Sequence, residues 1–280
     1  MTRVAVVTGT SSGIGLSASV LLAHSGFKVV ATMRNMEKRA ALDARSAKLG
    51  VPVDVRRLDV QDQASVDDCI NGILKTYGRL DLLVNNAGVG FLGTMEQTSL
   101  EHLRRIMDTN FYGVWHVTKA VLPAMKQAGK GQIITVSSIG GLIGQPFNDA
   151  YCASKFAVEG FMESLAPVVR PLGIFVSMVE PGPVNTRFIA SAKQAGIVRP
   201  VNPDKGYAPL LKAYLKKIRR EFESVGQTED EVGEIIVQVA QASAPHFRYP
   251  TSELGRKIII KKYVDSTGDS VISTTGRRLY

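Results

Sequence analysis

Two side chains four residues apart, the Tyr151 phenol and the Lys155 ammonium, have the most evident chemical use in this chain. They open an apolar run through Phe156, Ala157, Val158, Gly160, Phe161 and Leu165 that reads as a helix. On a helix, positions i and i+4 share a face, so the two groups point the same way. A free tyrosine has a pKa of about 10, too high for ready proton transfer at neutral pH. A cation held a few ångströms away favours the phenolate and moves the group toward the useful range. Taken alone, the pair also fits an ordinary amphipathic helix, so the reading turns on what precedes it.

The preceding chain alternates between strands and helices. Residues 3–8 form a β-branched run that reads as a buried strand. Gly9-Thr10-Ser11-Ser12-Gly13-Ile14-Gly15 follows, and then a helical pattern through Leu16, Val20, Leu21 and Leu22. A strand, a glycine-rich turn and a helix N-terminus make a phosphate cradle, because glycines let the backbone approach and the helix offers free N–H groups. The spacing G-x-x-x-G-x-G meets the general dinucleotide fingerprint only approximately, and a plain glycine-rich turn stays open as an alternative. A second strand over residues 27–33 ends at Met33-Arg34, and the first acidic residue of the chain is Glu37. Where NAD-binding sites carry a carboxylate, an arginine suits a 2′-phosphate, which predicts NADP(H).

Further strands are predicted at 53–58, 80–84, 132–136 and 173–179, with helices over 35–49, 62–77 and 99–127. Asn110 falls in the middle of the last helix, where asparagine is a poor residue unless it has work to do. The polar motifs Gly9–Gly15, Asn85-Asn86-Ala87-Gly88, Ser137-Ser138 and Pro181-Gly182-Pro183 all stand at predicted carboxyl ends of strands. That is where open α/β sheets bind ligands. The expectation is an α/β fold with a doubly wound parallel sheet of Rossmann type, one domain over residues 1–280.

Composition narrows the class. The 280 residues are 45% hydrophobic and 21% charged, which suits a globular protein. No apolar run is long enough to span a membrane, and Met1 leads directly into the first strand, so no signal peptide is expected. Cys69 and Cys152 suit neither a disulfide framework nor a metal site, which places the chain in a reducing cytoplasm. The net charge of +9 is dispersed: 21 basic and 15 acidic groups lie in residues 1–199, and 13 and 10 in residues 200–280. Without a dense basic patch, nucleic-acid binding is not predicted, and an anionic cofactor accounts for the surplus.

Taken together, Thr8-x-x-x-Gly-x-Gly15, Asn85-Asn-Ala-Gly88, Asn110, Ser138, Tyr151-x-x-x-Lys155 and Pro181-Gly182 resemble the short-chain dehydrogenase/reductase family in order and spacing over about residues 3–190. Residues 146–160, with Gly182-Pro-Val184, Phe247-Arg-Tyr249 and Thr251, resemble its hydroxysteroid and retinol dehydrogenase branch. The resemblance implies a catalytic set of Asn110, Ser138, Tyr151 and Lys155. Tyr151 would exchange the proton, Ser138 would orient the substrate oxygen, Lys155 would lower the Tyr151 pKa and hold the nicotinamide ribose, and Asn110 would hold a relay water. It also implies cofactor contacts from Gly9, Ser11, Ser12, Gly13, Ile14, Gly15, Arg34, Asp59, Val60, Asn86, Ala87, Gly88, Tyr151, Lys155, Pro181, Gly182, Val184 and Thr186. The implied activity is hydride transfer between NADP(H) and a ketone or aldehyde, or its alcohol, in a homo-oligomer (dimer or tetramer). The alternatives are a 17β-hydroxysteroid or retinol dehydrogenase proper, or a non-catalytic NADP(H)-binding sensor, although such sensors usually lose the Tyr or the Lys.

Beyond residue 190 the resemblance weakens. A substrate lid is expected over about 185–225, with an amphipathic helix at 205–223 whose stripe is Leu211, Leu215, Ile218 and Phe222. Steroid-active relatives carry a lid histidine, and this chain has none between His116 and His246, which makes a steroid a doubtful substrate. Gly93, Met95, Leu142, Phe147, Tyr207, Leu211 and Tyr214 are candidates to line an apolar pocket for a small hydrophobic carbonyl or alcohol substrate. The variable segment 245–280 carries Arg256, Lys257, Lys261 and Lys262 around Ile258-Ile259-Ile260. This reads as a packed C-terminal helix, with peripheral contact to a membrane surface as the alternative.

Overall fold

In the computed structural model, which describes residues 2–185, 206–265, 267 and 269–277, seven strands form one parallel sheet. Their order is β3-β2-β1-β4-β5-β6-β7, with β1 Val4–Thr8, β2 Lys28–Met33, β3 Val53–Arg57, β4 Leu82–Asn85, β5 Gly131–Val136, β6 Ile174–Glu180 and β7 Arg248–Pro250. The helices are α1 Gly13–His24, α2 Ala40–Leu49, α3 Gln63–Tyr77, α4 Leu100–Met107, α5 Gly113–Ala128, α6 Asp149–Val169, α7 Tyr207–Val225, α8 Glu229–Gln241, α9 Glu253–Val264 and α10 Asp269–Gly276.

Strand alternation divides the core. Val4 and Val6 face a layer built from α3, α5 and α6, including Ile70, Val117 and Met162. Ala5 and Val7 face α1 and α8 through Leu22, Ile236 and Val239. Both faces are covered, which is why the strands read as continuous apolar runs. The strand order reverses beside β1, where β2 lies on one side and β4 on the other. This switch point sets the carboxyl ends of β1 and β4 side by side, which is where sheets of this topology bind ligands.

Three features differ from the sequence expectation. The seventh strand pairs in parallel with the edge of β6, Met178 opposite Arg248 and Glu180 opposite Pro250. Three residues ending in proline carry no periodic signal of their own, and their partner edge defines them. Helix α8 starts at a capping box in which Thr228 Oγ1 accepts from the Glu231 N–H at 3.2 Å and Glu231 Oε2 accepts from the Thr228 N–H at 2.6 Å. The helix predicted over 99–127 is interrupted by a π-helical turn, Asp108–Tyr112, with Asn110 at its centre. Such single turns frequently mark functional sites.

No helix among the described residues is long and apolar enough to cross a membrane. The predicted C-terminal helix is α9, and it packs: Ile258 and Ile259 are buried, the latter against Ile139 and Leu142.

Candidate active site

The first turn of α6 brings Tyr151 to Ser138, at the end of β5, and their side chains are hydrogen bonded. Ser138 Oγ also accepts from the Gly140 N–H at 3.0 Å, which fixes its rotamer. One turn on, Lys155 is buried and donates to the Val136 carbonyl at 3.0 Å, with Nζ 5.9 Å from the Tyr151 ring centre. Gly88 closes the group, since a Cβ there would lie 3.4 Å from Asn110 Oδ1 and 3.7 Å from Lys155 Nζ. Asn110 is fully buried. Its Oδ1 accepts from the Val89 N–H at 2.8 Å, and its Nδ2 donates to the Val89 carbonyl and to Ser154 Oγ, both at 3.0 Å. Ser154, whose Oγ donates to the Tyr151 carbonyl at 2.7 Å, was missed by the sequence reading although it stands inside the motif.

Burial decides the protonation states. It pushes the Tyr151 phenol up to about 12, only partly offset by the Ser138 hydrogen bond. It pushes Lys155 down to about 8, partly offset by the Glu159 carboxylate. The expectation that Lys155 lowers the phenol is therefore not met in the free protein. Lys155 faces the ring from 5.9 Å and spends a proton on Val136, so desolvation outweighs its attraction.

The nucleotide side is a turn held rigidly by β4. Gly9 and Gly13 have φ of 71° and 67°, the left-handed region that favours glycine. A Cβ at Gly9 would sit 2.7 Å from the Ala87 Cα, and one at Gly15 would sit 2.3 Å from Asn86 Nδ2. Asn86 Nδ2 donates to the Thr8 and Gly9 carbonyls at 2.9 and 3.1 Å, and Thr8 Oγ1 accepts from the Asn86 and Ala87 N–H groups, both at 3.0 Å. The two asparagines thus bond across the sheet edge, Asn85 burying its amide against Thr118 Oγ1 at 3.0 Å. Helix α1 begins at Ser12 with no side-chain cap and no acidic residue in its first turn, so its N–H groups suit a phosphate. Ser11 stands in the same turn.

Arg34 follows β2 with its side chain 64% exposed, and its Nε lies 4.0 Å from Asp59 Oδ2. A carboxylate therefore does stand near this guanidinium, contributed by the loop after β3. Val60, next in chain, is buried against Gly113. The Pro181 carbonyl accepts from the Ile139 N–H at 3.0 Å, Gly182 approaches Ser252, and Val184 pairs with Gln227. Thr186 lies outside the described residues.

Of the candidate substrate residues, several meet around Phe147. Phe147 adopts φ of 60°, a strained conformation for a bulky side chain. Its carbonyl accepts from the Gly93 N–H at 2.9 Å, and its ring lies 5.5 Å from that of Tyr214 on α7. Asn148 Nδ2 donates to the Tyr214 hydroxyl at 2.9 Å, and the Tyr207 hydroxyl lies 3.2 Å from Glu96 Oε1. Helix α7 thus docks on the loops after β4 and β5. Leu211 and Tyr214 are buried, but Leu215 is 45% exposed, so the inner line runs 211, 214, 218 and 222 and the predicted stripe was rotated at Leu215. Met95 is 76% exposed, and Leu142 is buried against Ile139 and Ile259. Neither joins the Phe147 group.

The short chain dehydrogenase family profile matches residues 3–196. The chain belongs to that family. Short-chain dehydrogenases similar to it include human retinol dehydrogenase 8, 41% identical over 99% of this chain and 90% of that protein. Human 17-beta-hydroxysteroid dehydrogenase type 1 is 35% identical over 99% of this chain and 86% of its own. A solved short-chain dehydrogenase/reductase from Burkholderia phymatum, in complex with NAD, superposes with a TM-score of 0.82 at 25% identity, covering 96% of this chain and 95% of that one. The protein is thus an oxidoreductase of the branch that holds hydroxysteroid and retinol dehydrogenases.

Proposed function

We propose that this short-chain dehydrogenase is an NADP(H)-dependent enzyme that interconverts a hydrophobic ketone or aldehyde and its alcohol. The carrying observation is the Ser138–Tyr151 hydrogen bond beside buried Lys155, just beyond the carboxyl end of β5. When bound, the nicotinamide cofactor supplies or accepts the hydride. A phenol held protonated at neutral pH by burial suits Tyr151 as the acid that delivers a proton to the carbonyl oxygen. Ser138 orients that oxygen, and Lys155 supplies positive charge behind it. Asn110, saturated by Val89 and Ser154, holds the loop after β4 against α6. For the nucleotide, Gly9, Ser11, Ser12, Gly13, Ile14 and Gly15 would cradle the phosphates, and Asp59, Val60, Asn86, Ala87 and Gly88 would flank the adenosine. Pro181, Gly182 and Val184 would border the nicotinamide. Exposed Arg34 supports NADP(H), while among similar solved structures the Burkholderia relative holds NAD and a metagenomic short-chain oxidoreductase holds NADP.

An aromatic pair of Phe147 and Tyr214, with buried Leu211 on the same helix as Tyr214, supports a bulky, weakly polar substrate, and both human relatives are named for such alcohols. Tyr151→Phe keeps the ring and removes the proton, so turnover should fall about 10²–10⁴-fold with NADPH binding unchanged. Turnover within about tenfold of wild type would remove the assignment. We further propose a cytoplasmic homo-oligomer joined through exposed Tyr112 and Trp115, which stack with Phe111 and Phe161 across α5 and α6. Trp115→Glu should reduce the molar mass measured by light scattering. An unchanged mass would assign that face elsewhere.

A further inference from the structure

Behind the catalytic helix lies a buried charge cluster that the mechanism above does not use. Glu159 is one turn beyond Lys155 on the same face of α6, and Glu180 ends β6 just before Pro181. The two carboxylates are 4% and 0% exposed. Arg248, from β7, donates through one nitrogen, Nη1, to Glu159 Oε2 and Glu180 Oε1, each at 2.6 Å. Its Nη2 donates to Glu163 Oε2, at the surface, also at 2.6 Å. Glu159 Oε1 and Glu180 Oε2 are buried without a hydrogen-bond partner among the described residues. Glu159 Oε1 faces the loop after β5, since a Cβ at Gly141 would lie 3.2 Å from it.

One guanidinium cannot balance two buried carboxylates and a third at the surface. Like charges that share a buried site force one of them to keep its proton. The other groups facing the cluster are Lys155 on α6 and Lys262 and Tyr263 on α9, with Lys262 Nζ 4.1 Å over the Phe156 ring. Burial and the neighbouring Glu159 push Glu180 up to about 7. The Glu159 charge, one turn along the helix, pulls Lys155 upward.

We propose that Glu159 is a positioning residue for proton transfer: clamped by Arg248, it is the buried negative charge that keeps Lys155 an ammonium, while Glu180 carries the proton that allows the pair to stay buried. This rests on Tyr151 and Lys155 being the proton-transfer pair. It assigns the C-terminal strand a role in the chemistry, because Arg248 joins the catalytic helix to the strand that leads into Pro181-Gly182.

The first test needs no turnover. Glu180 has a folded pKa above its unfolded one, so the folded state binds the extra proton between them. The stability that Glu180 contributes therefore falls as pH rises from about 4.5 to about 7, and Glu180→Gln should remove that downward contribution from the pH dependence of thermal unfolding. A slope unchanged in Glu180→Gln overturns the assignment of the proton.

The second test is the pH profile of kcat/KM for alcohol oxidation, which requires the Tyr151 phenolate beside the Lys155 ammonium. At low pH the share of that form depends on Tyr151 alone, so Glu159→Gln should leave the acid limb in place. Lys155 then loses its proton at lower pH, so the plateau should begin sooner and stand lower, by tenfold for each pH unit that the Lys155 midpoint moves. Glu159→Asp, which keeps the charge, should restore the shape of the profile, and Glu180→Gln should retain it. A uniform loss at every pH in Glu159→Gln means a structural role only and overturns the proposal. So does a wild-type profile. Tyr151→Phe separately tests the pair itself, so the two failures are distinguishable.

Discussion

Asn110→Ala removes the three hydrogen bonds that join the π turn to the loop after β4 and to α6. The Val89 N–H and carbonyl lose their partner, whereas Ser154 keeps its bond to the Tyr151 carbonyl. At about 0.5–1.5 kcal/mol per net bond, the variant should lose about 3 kcal/mol. The unfolding entropy of a domain of 280 residues is about 0.6 kcal/mol/K, from about 2.1 cal/mol/K per residue. The expected drop in Tm is therefore about 5 °C, measured by differential scanning calorimetry. Activity should fall further than stability explains. Asn110 Oδ1 and Lys155 Nζ both border the Gly88 position, and a displacement of about 1 Å at a reacting centre can cost about 100-fold. Turnover should thus fall by about two decades at temperatures where the variant remains folded. A Tm within about 1 °C of wild type refutes the hydrogen-bond accounting. A lowered Tm with intact turnover refutes the coupling to the site.

Arg34→Ala should weaken NADPH binding by about one to two decades and leave NADH binding unchanged, because a charge-assisted bond contributes about 1.5–3 kcal/mol. Asp59, 4.0 Å from the guanidinium, places the expectation toward the lower end, and titration by fluorescence reads it directly. Substrate class is checked by kcat/KM for a hydrophobic aryl ketone against a polar sugar or hydroxy acid. The aryl ketone should win by an amount set by its buried area, at about 25 cal/mol per Å². A preference for the polar compound would mean that Phe147, Leu211 and Tyr214 do not face the substrate.

Much of this site is legible in the sequence because its determinants are local. A run such as Val4–Thr8 followed by Gly9, Gly13 and Gly15 specifies a strand, a turn with left-handed residues and a helix start through short-range sterics alone. Tyr151 and Lys155 share a face wherever their segment is helical, so their pairing needs no knowledge of the fold. The tertiary structure decided what depends on neighbours distant in sequence. Residues 248–250 become a strand only against the edge of β6. The π turn at Asn110 persists because Val89 and Ser154 take up its amide. Tyr214 turns inward and Leu215 outward because Phe147 and Asn148 stand opposite the former. The protonation states belong to the fold most of all. Burial raises Tyr151 and lowers Lys155, and the compensating charge of Glu159 is held by an arginine 89 residues further along the chain. Desolvation is a property of packing from every side, and no spacing along a sequence records it.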